Sequence, residues 1–199
     1  MIVVNHEQGS PEWFAEKLGK PSASNASKII TNTGKPSTQR EGYLYELAAE
    51  RIIGEQEDSY KNGYMEMGNE REDESRKFFE MTHDLEIQQV GVIYQDERKL
   101  WLCSPDGIHK DLFGLELKNV LGKTQVKRLL EKIIPSEYFG QVQMSLMITG
   151  FPCWRFFSYR PAMKPLDIEV QRDEAYINKL ASELERFVKE LDEVTESIR

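Results

Sequence analysis

An α/β fold with a mixed central sheet flanked by helices is what this sequence predicts, on three observations. Period-two hydrophobic runs gather in the middle of the chain, segments of helical period lie before, between and after them, and the chain ends in a long amphipathic stretch. With 199 residues, 39% hydrophobic and 10% aromatic, there is material for one continuous core, so residues 1–199 read as a single domain. No internal repeat, low-complexity tract or Pro/Gly/Ser-rich linker divides it.

The least regular stretch runs from Lys20 to Arg40, where Ser22 and Ser24 are placed to cap a short helix through Lys28. Glu41 to Ile53 carries Tyr45, Leu47, Ala48 and Ile52 at near-helical spacing and stops at Gly54, a glycine end signal. Glu70 to His83 reads as a second helix with Phe78, Phe79 and Met81 turned inward. From Ile87 the period falls to two, giving strands at Ile87 to Tyr94, Leu100 to Cys103, Leu112 to Val120 and Trp154 to Tyr159. Ser136 to Thr149, entered through Pro135 with Ser136 as cap, is a helix between the last two. A further strand is expected at Asp167 to Val170. The tail, about residues 173–199, sets Ile177, Leu180, Leu184, Phe187, Leu191, Val194 and Ile198 three and four apart, an amphipathic helix of roughly seven turns.

A formal net charge of −8 argues against a simple DNA coat protein, since phosphate binding needs clustered Lys and Arg. Its distribution is uneven. Trp13 to Arg40 and Lys118 to Lys132 each carry five basic residues against one acidic, while Asp173 to Arg199 carries eight acidic against four basic. A basic face opposite an acidic back fits this pattern, and so does ordinary solvated surface charge. Cys103 and Cys153 lie in apolar runs where they pack as small hydrophobes, which suits a reducing cytoplasm. The N-terminal MIVVNHEQGS has no signal-peptide pattern and no segment approaches the ~20 apolar residues of a membrane span, so a cytoplasmic protein without a membrane segment is expected. His6, His83 and His109 are dispersed without ligand spacing, and there is no GxGxxG, P-loop or CxxC pattern.

Chemistry concentrates in LWLCSPDGIHKDLFGLELKNV, where Asp106 follows one strand and Glu116 and Lys118 lie on the next. Alternate strand residues share a face, so Glu116 and Lys118 point one way while Leu115 and Leu117 face the core. A hairpin brings Asp106 beside them, and two converging carboxylates make a hard oxygen site suited to Mg²⁺. The adjacent ammonium can orient an attacking water and offset charge building on a phosphate. The spacing by itself is weak, because 34 acidic residues and 15 lysines in 199 positions predict roughly 2.6 chance acid-x-Lys matches. Two occur, Glu97-Arg98-Lys99 and Glu116-Leu117-Lys118, and only the second sits among alternating apolar residues after a Pro-Asp-Gly turn.

WFAEKLGKPSAS, MGNEREDES, CSPDG, GLELK, SEYFGQVQMSLMITG, SYRPAMKP and QRDEAY, in that order, resemble the lambda exonuclease or YqaJ-like viral recombinase nucleases of the PD-(D/E)xK superfamily. The resemblance spans most of the chain and implies a restriction-endonuclease-like fold. It implies a Mg²⁺-dependent hydrolase, with Mn²⁺ able to substitute, acting 5′-to-3′ and processively on linear double-stranded DNA ends. Its product is a 3′ single strand for phage-type recombination. By residue, it makes Asp106, Glu116 and the carbonyl of Leu117 the metal ligands, Lys118 the catalytic lysine and Glu72 an additional acid for a second metal. Gln143 becomes the glutamine that contacts the water or scissile phosphate, and Gln141 is read as an ordinary exposed helix position. A 5′-phosphate pocket is implied around Ser24, Ser104 and Lys17, with Lys17 where relatives carry arginine and Lys20 able to share the role. Lysine offers a point charge where arginine grips bidentately. Trp13 is read as packing for this loop, with base contact the alternative, and Met65 falls where the family places a strand-parting wedge, with core packing the alternative. The family also implies a ring-shaped homotrimer, a single-strand annealing protein as partner, and the cytoplasm of a bacterial host carrying a phage or prophage. Rival readings are a structure-selective or site-specific endonuclease of the same fold and a non-catalytic DNA-end-binding protein.

Overall fold

The computed structural model describes residues 1–56 and 71–199, so Met65 lies outside the described residues. Two sheets organise it. Strand β1 (Ile2–Val4) pairs antiparallel with β2 (Val92–Tyr94), and β2 pairs antiparallel with β3 (Leu102–Cys103). The second sheet has the order β4-β5-β6-β7, from β4 (Gly107–His109), β5 (Phe113–Asn119), β6 (Cys153–Tyr159) and β7 (Leu166–Gln171). Its β5–β6 pair is parallel and the other pairs are antiparallel, the mixed sheet the periods predict. A parallel pair needs a long crossover. Helices α5 (Gly122–Glu131) and α6 (Ser136–Thr149) supply it.

The remaining helices are α1 (Pro11–Lys17), α2 (Ala26–Ile29), α3 (Arg40–Ile53), α4 (Glu72–His83) and α7 (Glu174–Ser197). Helix α4 covers one sheet face, where Phe79 packs with Ile87, Leu115, Leu117, Phe157 and Tyr159. On the other face Trp154 and Phe156 meet the apolar residues of α6, which in turn pack on α2 and α7, and α3 packs on α7. Gly114 is required there, since a Cβ would stand 2.3 Å from the Trp154 ring, its neighbour in register. Helix α7 starts from Asp173, whose carboxylate accepts the Tyr176 N–H at 2.9 Å, and buries the predicted stripe from Ile177 to Leu191. Its acids pair with basic residues elsewhere in the chain: Glu190 with Arg40, Asp192 with Arg51 and Glu185 with Arg98. No helix among the described residues is long and apolar enough to cross a membrane, and both cysteines are free.

The structure corrects several local expectations. The buried stripe of α3 is Tyr43, Leu44, Leu47 and Ala48, while Tyr45 and Ile52 are 54% and 42% exposed. Apolar residues occur on two sides of this helix, so periodicity finds its period but not its phase. Met81 is likewise 73% exposed, and Ser75 and Arg76 take inward positions on α4. The run from Ile87 to Tyr94 divides at Gly91, where a Cβ would meet Val4 O at 2.5 Å and His6 O at 2.4 Å. Gln88 bridges to Ile108 of one sheet, and only Val92–Tyr94 joins the other. Ser22 and Ser24 enter a 3₁₀ turn, Ala23–Asn25, before α2, and Ser22 makes no side-chain cap. Pro135, not Ser136, is the N-cap of α6, and β1, α1, β4 and α5 were not expected.

Candidate active site

The centre of the site is the β4–β5 hairpin. Gly107 stands opposite Leu115, so extending the antiparallel register by one residue sets Asp106 opposite Glu116. A Cβ at Gly107 would lie 2.1 Å from Ile87 Cγ2, which explains the glycine directly after the aspartate. The Asp106 N–H donates to Leu115 O at 3.1 Å, and its Oδ2 accepts the Leu117 N–H at 2.5 Å. The carbonyl of a strand residue points to the same side as its N–H, so Leu117 C=O also faces the Asp106 side.

Glu116, 2% exposed, lies on the α6 face with Lys118, and the two side chains form an ion pair through Oε1. Its Oε2 accepts from Gln141 Nε2 at 2.8 Å. The Lys118 ammonium also lies 5.1 Å from the centroid of the Tyr138 ring. Burial alone would lower the lysine's pKa, but Glu116 and Asp106 hold it above its ordinary value. The pKa of Asp106 is raised well above its ordinary value, first because it is buried and then because Glu116 and Glu72 repel its charge. Three acids thus share one electrostatic environment that a cation would relieve.

Arg76 organises the third side. Nearly buried, it donates from Nε to Asp106 O at 3.1 Å, from Nη2 to Glu72 Oε1 at 2.5 Å and from Nη1 to Asp73 Oδ1 at 2.6 Å. Glu72 is therefore committed to Arg76, although burial raises its pKa and Lys118 acts on it. Among the described residues no three His, Cys, Asp or Glu side chains form a ready metal cluster. A Mg²⁺ ion needs only one or two carboxylates, with waters and substrate oxygens completing its shell. Asp106, Glu116 and the Leu117 carbonyl fit that donor set, and Glu72, the acid expected at a second metal, has its Oε1 engaged by Arg76.

Gln143 is the main correction at the site. It is 1% exposed, donates to Gln171 O at 2.9 Å and accepts from the Asp173 N–H at 2.8 Å, pinning the junction of β7 and α7. Two residues on a helix are about 200° apart. Gln141, expected to be a plain surface position, consequently shares the site face with Tyr138. The all-round burial of α6 from Val142 to Thr149 leaves no sequence signal for this phase. Sequence reasoning also missed Arg76, whose clue was its place four residues after Glu72.

Lys17 and Ser24 line a cavity of about 100 Å³ together with Lys20, Ser22, Asn25 and Glu50. Among the described residues the Lys17 ammonium makes no hydrogen bond or ion pair; it rests 3.6 Å from the Trp13 ring centroid. Burial pushes its pKa down to about 8, against the pull of Glu50. Glu50 Oε2 accepts the Gly19 N–H at 2.8 Å and Arg51 Nε donates to Gly19 O at 2.8 Å, so α3 clamps the turn after Lys17. Lys20 is taken up by Glu16 O at 2.6 Å and Tyr94 OH at 2.9 Å. Ser104 does not line the cavity: its Oγ donates to Gly91 O and accepts from Trp13 Nε1 at 3.0 Å. Trp13, held by that bond and another to Gly91 O at 3.2 Å, is packing beneath Lys17. His109 stacks on Phe113 and turns Nδ1 to Glu86 O at 2.8 Å.

The family model described as YqaJ-like viral recombinase domain matches residues 12–152. Among solved structures the chain is similar to an alkaline exonuclease (LHK-Exo) from Laribacter hongkongensis, with 27% identity, TM-score 0.85, and coverage of 95% of this chain and 96% of that one. The complex of LHK-Exo with dAMP gives 28% identity, TM-score 0.86 and the same coverage. A phage related exonuclease from Haemophilus somnus 129PT shares the fold at 16% identity and TM-score 0.71, over 90% of this chain and 96% of that one. No curated protein sequence matches the chain.

Proposed function

Because the chain belongs to the YqaJ-like viral recombinase family, we propose that it is a Mg²⁺-dependent exodeoxyribonuclease digesting linear duplex DNA from the 5′ end and leaving a 3′ single strand. The single observation that supports this most is the convergence of Asp106, Glu116 and Lys118 on one hairpin, with Gln141 braced against Glu116. The similar alkaline exonuclease and its complex with dAMP, a deoxynucleoside monophosphate, support the substrate class.

Asp106, Glu116 and the Leu117 carbonyl would hold the metal, which supplies Lewis acidity to a phosphate oxygen and lowers the pKa of a bound water. Lys118, kept protonated by the two acids, orients the attacking water and offsets charge developing on the phosphate. Gln141 fixes the rotamer of Glu116, and Arg76 fixes the main chain of Asp106, so both carboxylates keep their aim. Lys17 and Ser24 receive the 5′ phosphate. A homotrimeric ring around the duplex and a single-strand annealing partner complete the reading; a threaded duplex explains many cleavages per encounter.

Incubation with 5′-phosphorylated linear duplex and with covalently closed plasmid, each with Mg²⁺, with Mn²⁺ or with excess chelator, tests this. Mononucleotide release from the linear substrate alone is expected, dependent on metal and abolished by Asp106→Ala, Glu116→Ala or Lys118→Ala, with DNA binding retained in the lysine variant. Cleavage of the closed plasmid would replace the exonuclease reading with an endonuclease, and full hydrolysis in chelator would remove the metal site.

A further inference from the structure

Arg128 on α5 is 4% exposed, and among the described residues no carboxylate pairs with it. A buried cation without a counter-charge is costly unless something else stabilises it. Its contacts are all neutral. Nη1 donates to Ser158 Oγ at 3.0 Å and Nη2 to Tyr138 OH at 3.3 Å, and the guanidinium lies 5.3 Å from the Tyr138 ring centroid and 5.5 Å from that of Phe156.

These contacts lead to the site from two directions. Ser158 is the register neighbour of Lys118 in the parallel β5–β6 ladder. Tyr138, in the first turn of α6, is the ring over which the Lys118 ammonium lies. The tie between α5 and the sheet does not need a guanidinium, because Gln125 already makes it, donating to Ser158 O at 3.1 Å and Lys164 O at 2.9 Å.

Resting on the nuclease reading above, we infer that Arg128 is a positioning residue for the reaction. It grips the Tyr138 hydroxyl and so sets the ring that holds Lys118 on the side away from Glu116. Its unneutralised charge adds positive potential where a scissile phosphate docks. The ammonium is thereby held between a carboxylate and an aromatic face, and the ring's angle depends on the bond from Arg128.

The test compares wild type with Arg128→Gln, Arg128→Lys, Tyr138→Phe and the Arg128→Gln/Tyr138→Phe pair, with Asp173→Ala, which removes the N-cap of α7, as a purely structural control. Each is assayed on 5′-phosphorylated duplex with Mg²⁺ for kcat and KM, alongside its melting temperature. Arg128→Gln is expected to lower kcat about tenfold with KM within about twofold. Arg128→Lys should recover part of the loss through its charge, and the double variant should lose less than the product of the two single losses. Asp173→Ala should lower the melting temperature and leave kcat within about twofold. If Arg128→Gln loses no more kcat than Asp173→Ala, or the two single losses multiply, the positioning role is wrong while the nuclease reading stands. A wild type that leaves the duplex intact removes both.

Discussion

Gln141 and Gln143 sit two residues apart and should fail in different ways. Gln141→Ala removes a hydrogen bond of 2.8 Å to a buried carboxylate that is paired with Lys118. Bonds to charged groups contribute about 1.5–3 kcal/mol, and if that energy holds Glu116 in its reactive rotamer the rate falls about 10- to 150-fold. The melting temperature should also fall by several degrees, since the same bond stabilises the fold even though Glu116 keeps its pair with Lys118, so the loss of rate is what sets Gln141→Ala apart. Gln143→Ala removes two bonds at the start of α7, to Gln171 O and from the Asp173 N–H. Both partners belong to exposed residues that water can reach, so the cost is about 2 kcal/mol rather than the full penalty of two orphaned groups. For a chain of this size that is a drop of about 4–8 °C. Calorimetric melting and single-turnover digestion at a temperature well below both transitions separate the effects. A Gln143→Ala protein that melts normally and cuts slowly, or a Gln141→Ala protein that melts early and cuts normally, would refute the assignment of helix faces.

Lys17 titrates near 8 and is cationic below that value, so the preference for a 5′ phosphate over a 5′ hydroxyl should be larger at pH 7 than at pH 9. Lys17→Arg should keep the preference at the higher pH, since guanidinium does not titrate there; equal behaviour of both proteins at both values would take Lys17 out of the pocket. Light scattering should give a species of about three times the 23.2 kDa chain. Added salt should suppress end loading more steeply than it shortens the tract digested per encounter, because each neutralised phosphate steepens the salt dependence of loading while a closed ring resists release. A monomeric mass with distributive digestion would leave the hydrolytic centre in place and defeat the ring.

What the sequence determined by itself was whatever depends on neighbours along one element. The period of two through GLELK fixes that Glu116 and Lys118 share a face and that Leu115 and Leu117 take the other, since strand geometry leaves no second option. The PDG turn places Asp106 where a hairpin can return it to Glu116, and the stripe from Ile177 to Leu191 specifies one long helix whatever it packs on. Tertiary structure decided everything that depends on phase or on partners distant in sequence. Along α6 nearly every residue is buried, so hydrophobicity carries no information about which side meets the sheet; only packing on β5 selects Gln141 and turns Gln143 toward β7 and α7. Glu72 is a free acid in the sequence and an Arg76 partner in the fold, and Ser104 is a phosphate contact by motif and a bracket for Trp13 in space. Three of the tail's eight acids, Glu190, Asp192 and Glu185, are met by Arg40, Arg51 and Arg98, between 87 and 150 residues away. A one-dimensional pattern records the side chains' chemistry and their local spacing, while hydrogen bonds and ion pairs are satisfied by whichever groups the folded chain brings within about 3 Å.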